Sequence, residues 1–482
     1  MNRFEQELIQ EAVDTALQAG VKEVIAQLVE EEQYQIRFSN SEIDVTKRWD
    51  SYYLDIFISK GGPLSLGKKI STLTIQEPNS KKIKERVPRE VRILDSLPKS
   101  KLYWGMDKIK HTGYPKLQGM YDRSMVDFSE RAPGLIQNAI EVSHEAGAKK
   151  VAGVLYFGEK KKGLITGYGN GGMYRTSHCR GTIRSFHDAN SSGQSLVVGR
   201  GLSNIEKRLE DAGRRAGELA LQGKNSREGK GGTYDLIMSP TVAANIFGNV
   251  LSGANTIMMI TGMSCLKDKL GKQVFPEDIS VVDDPLVKGG LNSRPFDDEG
   301  TPSEKTEVIS DGIFTDLIHN TSSAKLWRLI NMLKLKIWVN PKTTTNSRLG
   351  TIGMTGTEND PRTLLPSPSN YVFSQGDQSL NEIIANSKKP TIYLTSNWYT
   401  RFTSMREGTF STVPRDTMLL IENGEIKGPI RDLRLKGDLL DLCSNVEAFG
   451  REREQVYWWE VGTPTFIPHV KVKDCTFTKA NL

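Results

Sequence analysis

Apolar residues first recur at helical spacing near the start of the chain. Leu8, Ile9, Ala12, Val13 and Ala16 fall on one face, which predicts a helix with a single buried stripe. Gly20 stands where a helix closes on a left-handed residue. The period then shifts to that of a strand. Val24–Leu28 continues through Gln35–Phe38, Ser39-Asn40-Ser41 supplies a polar turn, and Tyr52–Ser59 forms a second β-run. The same series returns later: Leu135, Ile136, Ala139 and Ile140 on a helical face, Gly147 at its end, then Val151–Phe157, a glycine-rich turn at Gly167–Gly172, and Tyr174–Phe186. The segments Leu8–Leu28 and Leu135–Leu155 align without gaps, with 9 of 21 positions identical. We read this as an internal duplication of one unit, a helix followed by an antiparallel meander.

The stretch between the copies, Pro78 to about Lys116, is rich in Lys and Pro and reads as a linker with little core of its own. A further helix is expected at about Asn204–Leu221. Gly223–Gly232 then marks a boundary. Beyond it come a strand at Tyr234–Met238, a helix at Pro240–Leu251, and short strands such as Thr391–Thr395 and Met418–Glu422, the latter closed by the turn Asn423-Gly424. The expected class is α+β: a duplicated helix-plus-antiparallel-meander N-terminal part followed by a β-rich C-terminal domain. The expected division is 1–90 for the first copy, 91–116 for the linker, 117–228 for a central domain holding the second copy, and 229–482 for the C-terminal domain.

Composition narrows the classes. The 482 residues are 37% hydrophobic and 25% charged, typical of a globular chain. No stretch approaches the roughly 20 apolar residues that span a bilayer; Ile257–Met263 is too short. The N-terminus is acidic-polar and has no signal-peptide hydrophobic region, so a cytoplasmic protein is expected. Cys179, Cys265, Cys443 and Cys475 form no CxxC and read as reduced, buried thiols. The net charge of +6 is small for this length, and the clusters Lys81–Lys84, Lys149-Lys150 and Lys160–Lys162 read as solvated surface rather than as a nucleic-acid footprint.

Candidate motifs mostly fail on context. Gly167-Tyr-Gly-Asn-Gly-Gly172 matches GxGxxG, but a strand follows it where a dinucleotide site needs a helix. His144-Glu145 lacks a second His: Ala148 and Lys149 occupy the two spacings that zinc peptidases use. His178 and His187 are an odd number of residues apart, so a continuous strand would point them to opposite faces. His111, His319 and His469 have no ligand partners nearby in sequence. Arg294-Pro-Phe-Asp297-Asp298-Glu299-Gly300 is the most unusual polar block. It could bind a cation, receive a peptide's amino terminus, or form a hydrogen-bonded turn.

Gly271-Lys-Gln-Val-Phe-Pro276, Asp284-Pro285, Gly289–Gly300, Asp311-Gly312, Asn423-Gly-Glu425 and Gly462-Thr-Pro464 follow one another in an order that resembles the C-terminal domain of the TldD/PmbA family. TldD-type members carry HExxxH on a helix and a later Cys. The two imidazoles and the thiolate hold zinc, and the Glu takes a proton from the attacking water. An i, i+5 pair lies about 140° apart on a regular helix, so such a site needs a distorted turn. The resemblance places that helix at Thr241–Gly253. There Ala244, Asn245 and Gly248 occupy the His, Glu and His positions, and no Cys lies between Gly450 and Pro464. It therefore implies a TldE/PmbA-like, non-cutting subunit with no cofactor of its own. Zinc is expected in a TldD-type protein partner, in a heterodimer or higher assembly that degrades small or unfolded peptides. A homodimer is a further possibility.

Two alternatives belong to other classes. One is a stand-alone metallopeptidase with a relocated metal site drawn from His178, Cys179, His187 or Asp297–Glu299. The other is a regulatory or nucleic-acid-binding protein, suggested only by the basic balance. Asn331–Pro341 and Tyr457-Trp458-Trp459 depart from the family's usual loops, and the aromatics suit either core or an interface.

Overall fold

Helix α1 (Arg3–Gln18) leads into two long strands and a short one, β1 (Glu23–Ser39), β2 (Glu42–Lys60) and β3 (Lys69–Gln76), and then helix α2 (Ser80–Ser96). The order repeats as α3 (Phe128–Glu145), β4 (Lys150–Thr166), β5 (Gly171–Asp188), β6 (Ser191–Gly199) and α4 (Ile205–Gln222). The computed structural model describes residues 3–61, 67–333, 342–351 and 362–480. β1 and β4 are both 17 residues long, and they pair antiparallel from Ile25↔Thr166 to Phe38↔Gly153. That seam joins the two units into one six-stranded sheet, β3-β2-β1-β4-β5-β6.

Side chains alternate across this sheet and so divide its two faces. One face carries the helices. Leu8, Ile9, Ala12, Val13 and Ala16 of α1 pack with Ala26 and Leu28 of β1, Leu54 and Ile56 of β2, and the apolar side of α2. Ile136, Ala139 and Ile140 of α3 pack with Leu155 and Phe157 of β4 and with Leu209, Ala212 and Ala216 of α4. The helical stripe expected for α1 is buried as read, with none of its five residues above 3% exposure.

The stretch read as a linker needs correction. Its first part is α2, whose Ile83, Val87, Val91 and Leu94 recur at helical spacing and are all buried. The Asn79 side chain caps this helix by accepting the Lys82 N–H at 3.0 Å. Lys and Arg on the solvent side, and Pro88 inside the helix, hide the stripe in sequence. The rest of the stretch also contributes to a core. Tyr103 and Met106 are buried against Phe57 of β2 and against Phe296 and Leu349 of the C-terminal part.

Gly20 and Gly147 adopt φ of +95° and +111°, as the sequence predicts for the residue closing each helix. Added methyls would meet different surroundings. A Cβ at Gly20 meets nothing within 4 Å, whereas one at Gly147 would lie 2.8 Å from Leu221 Cβ. Gly20→Ala is expected to cost about 1 kcal/mol, the backbone strain alone. Gly147→Ala should cost measurably more, because α4 must also shift. Urea denaturation of the two variants checks the order.

In the C-terminal part, two sheets enclose helix α5 (Pro240–Ser252). A six-stranded sheet includes Tyr371–Phe373, Val461–Ile467 and Glu454–Trp458; a larger sheet includes Asn397–Ser404, Val470–Lys479, Gly232–Met238 and Thr391–Leu394. Ser239 caps α5, its side chain accepting the Val242 N–H, and Pro240 starts it. Nine of its 13 residues are buried, including Phe247, which packs edge-on against Phe275 at 5.3 Å. Asn423 and Gly424 both take positive φ, 54° and 79°, the conformation that a two-residue hairpin turn requires. The fold is α+β, with helix-plus-antiparallel-sheet architecture before a β-rich C-terminal region.

Candidate functional site

Of the three positions on α5 that the resemblance sets against zinc-site residues, two hold no side-chain donor atom: Ala244 is fully buried and Gly248 has no side chain. The third, Asn245, is fully engaged. Its Nδ2 donates to Glu460 O at 2.8 Å, and its Oδ1 accepts from Asn397 Nδ2 at 2.8 Å and Thr400 Oγ1 at 2.6 Å. Asn397 also donates to Thr412 Oγ1 at 2.9 Å. These residues do not fit a metal ion. They form a buried amide and hydroxyl network that fastens α5 to the strand Asn397–Ser404 and to the turn at Glu460. The sequence reading missed Asn397, Thr400 and Glu460. The only nearby signal was the aromatic run that precedes Glu460.

That aromatic run divides. Trp458 is 7% exposed and belongs to the core, while Trp459 is 58% exposed. Trp459 packs edge-on against Trp398 and Tyr399, both at 5.7 Å between ring centroids. Tyr399 holds φ at +55°, uncommon for a bulky residue, and its N–H donates to Glu460 Oε1 at 2.8 Å. Tyr457 is half-buried beneath the Arg180 guanidinium, 5.2 Å from its ring centroid. Residues 334–341 of the Asn331–Pro341 run lie outside the described residues, and Asn331 is near the end of a helix, Thr321–Leu333.

The Arg294–Gly300 block is a turn held by its own carboxylates. Asp297 Oδ1 accepts the N–H groups of Glu299 at 2.9 Å and Thr301 at 3.0 Å, and its Oδ2 accepts that of Ser347 at 3.0 Å. Asp298 accepts from Lys162 Nζ at 2.5 Å and from Leu349 N at 2.9 Å. Glu299 Oε2 accepts the Thr321 N–H at 3.0 Å. Burial alone would raise Asp298, yet the charges of Lys162 and Arg294 hold it below the usual carboxylate range. Burial, and then the neighbouring Asp297 charge, push Glu299 up. Asp297 already receives three N–H groups, so the proton of that pair sits on Glu299.

Lys162 was the second omission, and it corrects the reading of Lys160–Lys162 as solvated surface. All three lie within β4. Lys160 and Lys162 point to the C-terminal part, while Lys161 lies on the other face and pairs with Glu30 at 2.8 Å. The signal was available, since the run continues a β-pattern without a break.

The remaining motifs stay apart. His178 is held 3.3 Å from Gln33 Nε2, and His187 Nδ1 lies 2.7 Å from Gly147 O. Cys179 faces the helices, where burial pushes its thiol up to about 12. His144 Nδ1 meets Ala148 O at 2.8 Å at the end of α3. The glycine run 167–172 forms the β4–β5 turn and the first two residues of β5. Among the described residues no three His, Cys, Asp or Glu side chains group as metal ligands, and no helix is long and apolar enough to cross a membrane.

Comparison with known proteins gives a consistent result. Residues 231–479 match the model of the PmbA/TldA metallopeptidase C-terminal domain. A metalloprotease of Methanothermobacter thermautotrophicus is 24% identical over 245 residues, covering 51% of this chain and 48% of that protein. Metalloprotease PmbA of Escherichia coli O157:H7 is 23% identical over 278 residues, 58% of this chain and 54% of that protein. The chain thus spans about half the length of the curated relatives it matches. The fold is also that of TldE from Thermococcus kodakarensis, with a TM-score of 0.79 at 16% identity over 98% of this chain and 99% of that one. By its C-terminal domain, this chain belongs to the PmbA/TldD metallopeptidase family.

Proposed function

We propose that this chain is the TldE/PmbA-like subunit of a TldD/TldE-type metallopeptidase complex. In this reading it lacks a zinc site, helps to form the chamber that receives small or unfolded peptides, and leaves cleavage to a TldD-type partner that carries the zinc. The observation that carries the reading is the use of Asn245. At the position where the family's peptidases place a proton-accepting Glu, this chain has an amide bonded at both ends, flanked by Ala244 and Gly248. The likeness to TldE supports it. The matching element order of the two N-terminal units, added to their sequence identity, supports an internal duplication.

The experiment is co-expression with a TldD-type protein from the same genome. The two chains are expected to co-purify, and peptide hydrolysis should require both and disappear with chelation of the partner's zinc. Hydrolysis by this chain alone, with stoichiometric metal, would instead establish the stand-alone peptidase. Failure of the two chains to associate would end the subunit reading.

A further inference from the structure

A cavity of about 330 Å³ lies between the β1–β4–β5 face of the N-terminal sheet and the C-terminal part. Six cations line it, Lys160, Lys162, Arg200, Arg294, Arg348 and Arg362, against the single carboxylate of Asp298. Partners outside the lining neutralise only some of this charge. Arg362 pairs with both oxygens of Asp55 at 2.6 Å, and Lys160 reaches Glu31 at 3.5 Å.

Three of the guanidiniums, those of Arg200, Arg294 and Arg348, make no ion pair among the described residues, and the first two are buried. Arg200 is 7% exposed and donates to three backbone carbonyls, Gly290 O at 2.8 Å, Ser177 O at 3.3 Å and Ser293 O at 2.9 Å. Arg294 is 8% exposed, reaches Thr345 O at 3.4 Å, and has no partner for its Nε. Among the described residues neither has a carboxylate within 4.0 Å. Arg294 still feels the more distant charges of Asp298, Asp297 and Asp283, whereas only the Tyr174 phenol opposes the burial of Arg200, and a buried charge without a partner is unfavourable unless something compensates it. The field is felt by neighbouring groups. Burial, then the charges of Arg180, Arg200 and Lys160, lowers His178, and burial lowers Lys160, with Lys162 and Arg348 adding to the effect.

We propose that this cavity is an anion site, which takes an oxyanion group of a small ligand, a carboxylate or a phosphate. The forked N–H groups of a guanidinium match either group, and lysines beside it add charge without demanding geometry. Arg348 is exposed at the cavity and has no carboxylate partner among the described residues, so it stands where an incoming anion is first met. The proposal does not depend on the peptidase-complex reading, because it concerns binding by this chain alone.

Calorimetric titration of the full chain tests it with three probes: inorganic phosphate, a short peptide with a free C-terminal carboxylate, and the same peptide as its amide. Saturable binding of phosphate or of the peptide acid, weakening as salt rises, is expected. Binding of phosphate alone identifies a phosphate ligand, and binding of the acid but not the amide identifies a peptide terminus. Lys160→Gln and Arg348→Gln are at accessible positions and should each weaken binding about tenfold. Glu31→Gln, which frees Lys160, should tighten it. No saturable binding of either anion at millimolar concentration would overturn the proposal. So would affinity unchanged in both cation variants, or saturable binding of the amide as tight as that of the acid.

Discussion

Lys162→Met should lower the free energy of unfolding by about 3–5 kcal/mol at neutral pH, because it strands a buried carboxylate. The Lys162 and Asp298 side chains are 10% and 5% exposed, and they meet at 2.5 Å where the N-terminal sheet faces the C-terminal part. Without the ammonium, Asp298 would retain the Leu349 N–H and the more distant Arg294 charge but lose the one cation that it touches among the described residues. The double variant Lys162→Met/Asp298→Asn separates charge from packing. The Asn oxygen still accepts the Leu349 N–H and carries no charge, so at least about 2 kcal/mol of the loss should return. Urea denaturation of the wild type, the two single variants and the double variant completes the cycle. A cost below about 1 kcal/mol for Lys162→Met would mean that water screens the pair, as at ordinary surface sites.

Acidification should destabilise the protein well before its ordinary carboxylates titrate. Burial pushes His178 and His319 down to about 3 and His469 to about 4. A base whose folded value lies below its unfolded value, here 6.5, contributes stability above the unfolded value. That contribution is lost as pH falls towards the folded value. Each of these imidazoles therefore withdraws up to about 1.4 kcal/mol per pH unit below 6.5. By pH 5 the three together withdraw on the order of 6 kcal/mol, against the 5–15 kcal/mol of a typical domain. Glu299 opposes them. Its folded value is raised, so its contribution grows as pH falls towards the unfolded value and softens the net slope. His319 isolates the imidazole effect, since burial is the only cause of its shift and it meets Thr256 Oγ1 at 2.7 Å. His319→Gln can keep that hydrogen bond. Its stability should fall less steeply between pH 6.5 and 5, by up to about 1.4 kcal/mol per unit. Parallel slopes for variant and wild type would refute the assignment.

Local pattern and distant pairing differ in how much of the molecule they reveal. The apolar stripe of α1, the left-handed glycines, the meanders and the Asn423-Gly424 turn were legible because each depends on neighbours in sequence. Helix α2 was not. Its four buried residues are ordinary in spacing, but Lys, Arg and Pro surround them and resemble a linker. The lysines of β4 misled for a related reason: three like charges suggest solvent, and only the long-range partners Glu30 and Asp298 show otherwise. At the candidate site, the sequence disclosed which residues stand at Ala244, Asn245 and Gly248. It could not disclose that Asn245 is tied to Asn397, Thr400 and Glu460, since those residues lie more than 150 positions away. The cationic cavity was equally hidden, being assembled from β4, the segment after β6 and three separate C-terminal segments.

The central β1–β4 seam has one more consequence. Each three-stranded half, taken alone, would present a long strand with its hydrogen-bonding groups unpaired, the kind of margin that draws in other chains and leads to aggregation. Pairing the halves within one polypeptide covers both margins and leaves the shorter β3 and β6 at the outside. The smallest piece of this half that can be expressed safely is thus both units together, and a truncation placed between them would remove the protection that each gives the other.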